Sequence, residues 1–192
     1  MLSGHVSVGA WELECQRALV ELTVPTSGLA VLEIGYGLGM ASVAIQTEHA
    51  PTVHITVEAN RTVAGNALRR SVGNEILLVA KWQSIAGLLA RSTFDSVIFD
   101  PDPEIPADIS WTASDVVAWA LLGMTSLSPL LRPGGRFGFV DFTNQVLLID
   151  EFSARAAKLG MVVESVQIPI SPPTDCKYAR PGDATVIVAV KH

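Results

Sequence analysis

Apolar residues along this chain fall into two alternating rhythms. Residues 11–23 place Trp11, Cys15, Ala18, Leu19 and Leu22 at helical spacing, a stripe of period 3.6. After the break Pro25-Thr26-Ser27-Gly28, residues 29–34 form a continuous apolar run containing one acid, and 53–57 alternate and are rich in β-branched residues. Both patterns predict strands. Continuing in this way, strands are predicted at 76–79, 96–99, 136–140, 162–168 and 185–190, and helices at 40–47, 61–70, 84–91, 113–131 and 146–159. The stretch Arg132-Pro133-Gly134-Gly135 predicts a turn into the fifth strand, and Gly160 suits the end of the last helix. Pro101, Pro103 and Pro106 exclude regular structure just after the fourth strand.

Strands that alternate with helices imply a mostly parallel sheet covered on both faces. The last two strands have no helix between them and are expected to pair antiparallel at one edge. The expected fold class is therefore α/β, a Rossmann-like sandwich built on a seven-stranded, mostly parallel sheet with an antiparallel edge strand.

Composition narrows this picture. The 192 residues are 49% hydrophobic, enough for a full core in a single domain spanning 1–192. Mean hydropathy is +0.39, yet no apolar run approaches the roughly 18–20 residues of a membrane span. Met1 to His5 show no basic region followed by an apolar core, so no secretion signal is expected. Two cysteines, Cys15 and Cys176, are too few for a disulfide framework and suit a reducing cytoplasm. His5, His49, His54 and His192 have no ligand spacing, so no metal is expected. A formal net charge of −6 argues against a nucleic-acid partner.

The first strand ends in Glu33-Ile34-Gly35-Tyr36-Gly37-Leu38-Gly39-Met40-Ala41. Glycines at alternate positions let the backbone turn tightly into a helix beside a bound molecule. The dinucleotide fingerprint would want its third glycine where Met40 stands. Glu33 two positions before the first glycine, followed by that spacing, resembles the first motif of class I S-adenosylmethionine-dependent methyltransferases. Glu58, ending the second strand about 20 residues on, stands where an acid accepts from ribose hydroxyls in such folds.

Further pieces are more specific: Trp11-Glu12, Lys81-Trp82, Phe99-Asp100-x-x-Pro103, and Pro172-Pro173-x-Asp175-Cys176-Lys177-Tyr178. Together with the glycine loop they resemble guanidinoacetate methyltransferase and the related fungal arginine N-methyltransferases, over nearly the whole chain from Trp11 onward. The resemblance implies S-adenosyl-L-methionine as cofactor and N-methylation of a small guanidino compound of guanidinoacetate, arginine or agmatine type. It gives Glu12 and Asp100 the two edges of the guanidinium; Asp100, expected at the carboxyl edge of the sheet beside the cofactor loop, is the candidate base and cofactor neighbour. It places Tyr36 to Ala41 along the cofactor, with Glu33 before them. Glu58, Ala59 and Asn60 fall at the ribose, Trp82 and Gln83 at the adenine, and Gln16 at another cofactor contact. Phe142 and Thr143 match the backbone pair that receives the substrate carboxylate.

The chemistry agrees, because a planar, permanently charged guanidinium pairs with carboxylates in forked geometry. Two positions depart from the family pattern. Asp102 adds a carboxylate, counted here with the substrate-binding residues, where an aromatic is usual, and Asp141 replaces an asparagine. Both additions suit a substrate with a second cationic group, such as arginine, an arginine derivative or an agmatine-like amine. The family's N-terminal segment is usually longer than the ten residues before Trp11, so the lid is expected to be partial or to come from another subunit. Expected partners are a small cationic guanidino or amine compound and a second copy of the chain, with neither nucleic acid nor membrane. The rival readings are methylation of another small amine, a nucleic-acid amino-methyltransferase, whose Asp-Pro-Pro-aromatic signature fails at Asp102, and a catalytically idle cofactor-binding subunit.

Overall fold

A computed structural model describes residues 10–70, 73–101, 112–143, 147–174, 176, 179 and 181–192. Its strands are β1 Ala30–Ile34, β2 Val53–Glu58, β3 Glu75–Val79, β4 Phe94–Phe99, β5 Leu131–Asp141, β6 Met161–Ile170 and β7 Gly182–Lys191. They form one seven-stranded sheet in the order β3-β2-β1-β4-β5-β7-β6. The first five strands run parallel to one another, and β7 is antiparallel to both β5 and β6. The expected antiparallel pair therefore sits at the edge, with β7 inserted inside and β6 outermost.

The helices are α1 Leu13–Thr23, entered by the 3-10 turn Ala10–Glu12, then α2 Met40–Ala44, α3 Arg61–Arg70, α4 Trp82–Ile85, α5 Ala113–Leu127 and α6 Leu147–Ala157. All five residues of β1 are buried, as expected for a strand covered on both faces. Val31 packs with Leu19 and Val20 of α1 and Ala41 and Ala44 of α2. On the opposite face Leu32 and Ile34 join Trp82 of α4, Met124 of α5 and Phe152 of α6. A capping box starts α5, in which Thr112 accepts from the Asp115 backbone and Asp115 accepts from that of Thr112. No helix among the described residues is long and apolar enough to cross a membrane.

Four predicted boundaries moved, each for a local reason. The helix expected at 84–91 is α4, a single turn that ends before Gly87 and leaves Leu88 81% exposed. The helix expected at 40–47 ends at Ala44 and continues as one π turn, Ile45–His49, closed by Ala50 in the left-handed region. Pro129 tightens the end of α5 into the 3-10 turn Ser128–Leu130. The turn expected at 132–135 is instead a bulge within β5. Phe94 pairs with Leu131 and Ser96 with Arg136, so the intervening residues of β5 loop out. Pro133 has no N–H to donate there, and Gly134 takes φ +79°.

Candidate active site

The register of the parallel strands lines up one edge of the sheet. Ile34 of β1 stands beside Val57 of β2 and Phe99 of β4, and Val57 stands beside Leu78 of β3. The next residues, Gly35, Glu58, Val79 and Asp100, therefore share a row at the carboxyl ends of the strands, where open α/β sheets bind ligands. Gly35 donates its N–H to the Val57 carbonyl and Asp100 donates to that of Ile34.

The glycine loop is fixed by contact as well as by φ. Gly35 has φ +88°, and a Cβ there would lie 2.4 Å from the Asp100 carbonyl oxygen. Gly39 has φ +78°, and its Cβ would meet the Tyr36 hydroxyl at 2.4 Å. Side chains are thus excluded for two separate reasons. Tyr36 is buried and its side chain folds back beneath the loop, leaving its backbone at this edge. Burial pushes its phenol pKa up, with Glu75 and Glu33 adding to the rise. Gly37 and Leu38 are exposed, Met40 is half-buried, and Ala41 is buried against the sheet.

Glu58 links the loop to the start of α3. Its Oε2 accepts the Tyr36 N–H at 2.9 Å and its Oε1 accepts the Asn60 N–H at 2.6 Å. Ala59 and Asn60 are exposed, and Asn60 caps α3 by accepting the Thr62 N–H at 2.9 Å. Trp82 is buried edge-on to Phe99 and Trp119, with ring centroids 5.3 and 5.7 Å away, while Gln83 is exposed. The Trp82 indole N–H has no hydrogen-bond partner among the described residues. A cradle that excludes Cβ atoms, a carboxylate at the end of β2 and an unpartnered indole donor suit a nucleoside-bearing ligand.

The other side of this edge is assembled from α1 and from the ends of β4 and β5. Glu12 is buried at the N-cap of α1. One turn on, Gln16 donates from Nε2 to Asp100 Oδ2 at 2.7 Å. Trp11 packs edge-on against Phe142, with centroids 5.6 Å apart. The structure thus brings Gln16 directly onto Asp100, whereas the sequence suggested Gln16 only for the cofactor. Thr143 is tied to the end of β5. Its backbone N–H and its hydroxyl both donate to Asp141 Oδ1, at 2.8 and 2.7 Å. Asp102, and the Asp175, Lys177 and Tyr178 of the last loop, lie outside the described residues.

Glu33 turns into the layer between the sheet and α2. Its Oε2 accepts from Ser42 at 2.5 Å and lies 2.9 Å from His54 Nε2 and 3.1 Å from the Thr56 hydroxyl. Thr56 also reaches Glu75 at 2.5 Å, and Gln46 Nε2 stands 2.9 Å from His54 Nδ1. With the Gln46 amide donating to Nδ1, the His54 proton sits on Nε2 and points at Glu33. Among the described residues, Glu33, His54 and Glu75 are the one group of donor atoms that could gather around a cation, lying within 4.8 Å of one another. His54 Nε2, Glu33 Oε2 and Glu75 Oε1 already have protein partners, while Glu33 Oε1 has none among the described residues. The signal available in the sequence was His54 and Thr56 at i and i+2 of one strand, which puts both on the Glu33 face.

Cys15 is fully buried, and burial followed by the charges of Glu12 and Glu14 pushes its pKa up to about 11. It is a packing residue, not a nucleophile.

The fold is that of known methyltransferases. A methyltransferase from Pyrococcus furiosus superposes with TM-score 0.65 at 16% identity, covering 100% of this chain and 88% of that one. TYW2 of M. jannaschii, solved in complex with AdoMet, gives 0.59 at 13% identity, covering 97% and 77%. In sequence, the chain is 31% identical over 137 residues to protein arginine N-methyltransferase 2 of Aspergillus fumigatus, which is 69% of this chain and 30% of that protein. The chain spans no more than about a third of the curated relatives it matches. The family model described as guanidinoacetate N-methyltransferase matches residues 2–154. On that match, the chain belongs to the guanidinoacetate N-methyltransferase family.

Proposed function

We propose that this chain is an S-adenosyl-L-methionine-dependent N-methyltransferase acting on the guanidino group of a small cationic compound. The observation that carries the reading is the position of Asp100. Its backbone packs against the first glycine of the cofactor loop, and its side chain is held by Gln16, one turn after Glu12 on the same helix.

S-adenosyl-L-methionine supplies, when bound, a methyl group on a positively charged sulfur. Glu58 would accept from the ribose hydroxyls while keeping Tyr36 and Asn60 in place. The Tyr36–Ala41 backbone would follow the methionine and ribose portions, with Trp82 and Gln83 flanking the adenine.

Glu12 and Asp100 would each take one edge of the guanidinium, a charge-assisted pairing that fixes the plane of the group. A guanidinium nitrogen is a poor nucleophile while its lone pair is delocalised into the cation. Asp100 answers this by accepting a proton from the attacking nitrogen as its bond to carbon forms. The remaining acceleration comes from holding nitrogen and methyl carbon in line.

Labelled-methyl transfer to guanidinoacetate, arginine and agmatine, repeated with Asp100→Asn, tests this. Label is expected in at least one guanidine, with a loss of about 100-fold or more in the variant. Equal transfer by the variant would remove Asp100 from the chemistry. Label only in RNA or DNA would remove the substrate class.

A further inference from the structure

We propose that Asp141 sets substrate specificity by occupying the Thr143 donors with the protein's own carboxylate. The site is thereby closed to guanidines with a carboxylate at the far end and selective for those ending in an amine. The inference rests on the guanidino reading above.

Asp100 follows the last residue of β4 and Asp141 is the last residue of β5. These are neighbouring parallel strands, with Ile98 beside Gly138, so Val140 stands next to Asp100 and Asp141 comes one residue later. Strands about 4.8 Å apart and a rise of about 3.3 Å per residue put the Asp141 backbone about 6 Å from that of Asp100, a span of a few methylenes around the end of β5. Trp11, the residue before Glu12, packs on Phe142 and brings the 142–143 turn to the same corner.

A substrate carboxylate arriving at this corner would need N–H donors. The Thr143 N–H is 2.8 Å from Asp141 Oδ1, and the Thr143 hydroxyl is 2.7 Å from the same oxygen. The pair forms a closed turn in which two donors are consumed by one acceptor. Asp141 is only 2% exposed, so an incoming anion could displace it only by leaving a buried carboxylate without partners. It would also meet like charge at close range where solvent screening is weak. An ammonium has the opposite experience. Asp141 Oδ2 makes no hydrogen bond among the described residues, and it offers an acceptor of the right sign. Serine, asparagine or glycine at this position would leave the turn neutral. The aspartate makes the corner select on charge.

Agmatine, n-butylguanidine and 4-guanidinobutanoate share the reacting group and differ in charge at the far end, so they isolate the effect. In labelled-methyl transfer by the full chain, kcat/KM is expected to fall in that order, by about 100-fold from first to last. Asp141→Asn keeps an acceptor for Thr143 and removes the charge. It should compress the span to within about fivefold, chiefly through KM. Where that variant fails to fold, Asp141→Ser, which also leaves the turn neutral with an acceptor for Thr143, serves instead and should compress the span likewise. Equal or better use of 4-guanidinobutanoate by the wild type would overturn the role of Asp141 while leaving guanidine methylation intact. An unchanged span in either Asp141 variant would do the same. Transfer to none of the three guanidines, nor to guanidinoacetate or arginine, would overturn the guanidino reading and this inference with it.

Discussion

Gln16 Nε2 donates to Asp100 Oδ2 across a 2.7 Å hydrogen bond that spans 84 positions of sequence. The contact ties the first long helix to the end of β4 and fixes the rotation of the carboxylate proposed to meet the substrate. A cofactor contact and a positioning residue for Asp100 make different predictions for this glutamine.

Gln16→Leu should lower kcat by about 10- to 100-fold through misplacement of Asp100, with little change in cofactor affinity. Loss of a donor to the ionised carboxylate favours its protonated form, so the acidic limb of the pH–rate profile should move to higher pH. Weaker cofactor binding with an unmoved profile would assign Gln16 to the cofactor instead.

Gly39→Ala and Gly28→Ala make a matched pair. Both glycines have φ +78°, but a Cβ at Gly28 meets nothing within 4 Å whereas one at Gly39 runs into Tyr36. The backbone term alone costs about 1–2 kcal/mol in each, which is roughly 2–8 °C in Tm for a chain of this size. Gly39→Ala should lose measurably more, and only this variant should weaken binding of S-adenosylhomocysteine by calorimetry. Equal Tm shifts would show that Tyr36 yields freely.

Glu33→Ala would strip the carboxylate acceptor from buried His54 and leave Ser42 and Thr56 to share Glu75. One unsatisfied buried donor costs about 1–3 kcal/mol, so thermal unfolding should fall by about 2–12 °C. Thr56→Val, which removes a single hydroxyl from the same cluster, should fall less. The reverse ranking would mean that Glu75, not Glu33, anchors the group.

Cys15 should be silent to thiol reagents in the folded protein. With a pKa of about 11, about a thousandth of it is thiolate at pH 8, and it is fully buried. Its folded pKa lies above the ordinary value of 9.0. Its contribution to stability is therefore complete below pH 9 and is lost as pH rises towards about 11. Denaturant midpoints measured from pH 8 to 11 should decline and the decline should lessen in Cys15→Ala. Rapid labelling of Cys15 at pH 8 under native conditions would contradict the burial.

Much of the architecture could be read from local pattern. Short apolar runs alternating with helical stripes predicted the sheet, and the spacing Glu33, Gly35, Gly37, Gly39 predicted the ligand loop. What escaped the sequence was set by partners distant along the chain. No periodicity announces that Gln16 reaches Asp100, or that Glu75 joins the group around Glu33. The Asp141–Thr143 turn was local and could have been anticipated, since an aspartate commonly accepts from the backbone two residues on. The bulge in β5 and the brevity of α4 were hidden for a different reason. Proline and glycine mark a departure from regular structure without saying whether the chain turns away or stays in the sheet.

The threading of β7 between β5 and β6 also fixes an order of events during synthesis. β6 leaves the ribosome first but has no bond to β5, and it joins the sheet only through β7. Until residues 182–191 are made, Phe137 and Phe139 lie on an open sheet edge and β6 has no partner strand. The nascent chain must therefore carry an unfinished sheet with α6 already packed beside it. The chaperone-sensitive window of this protein should close only when its seventh strand emerges.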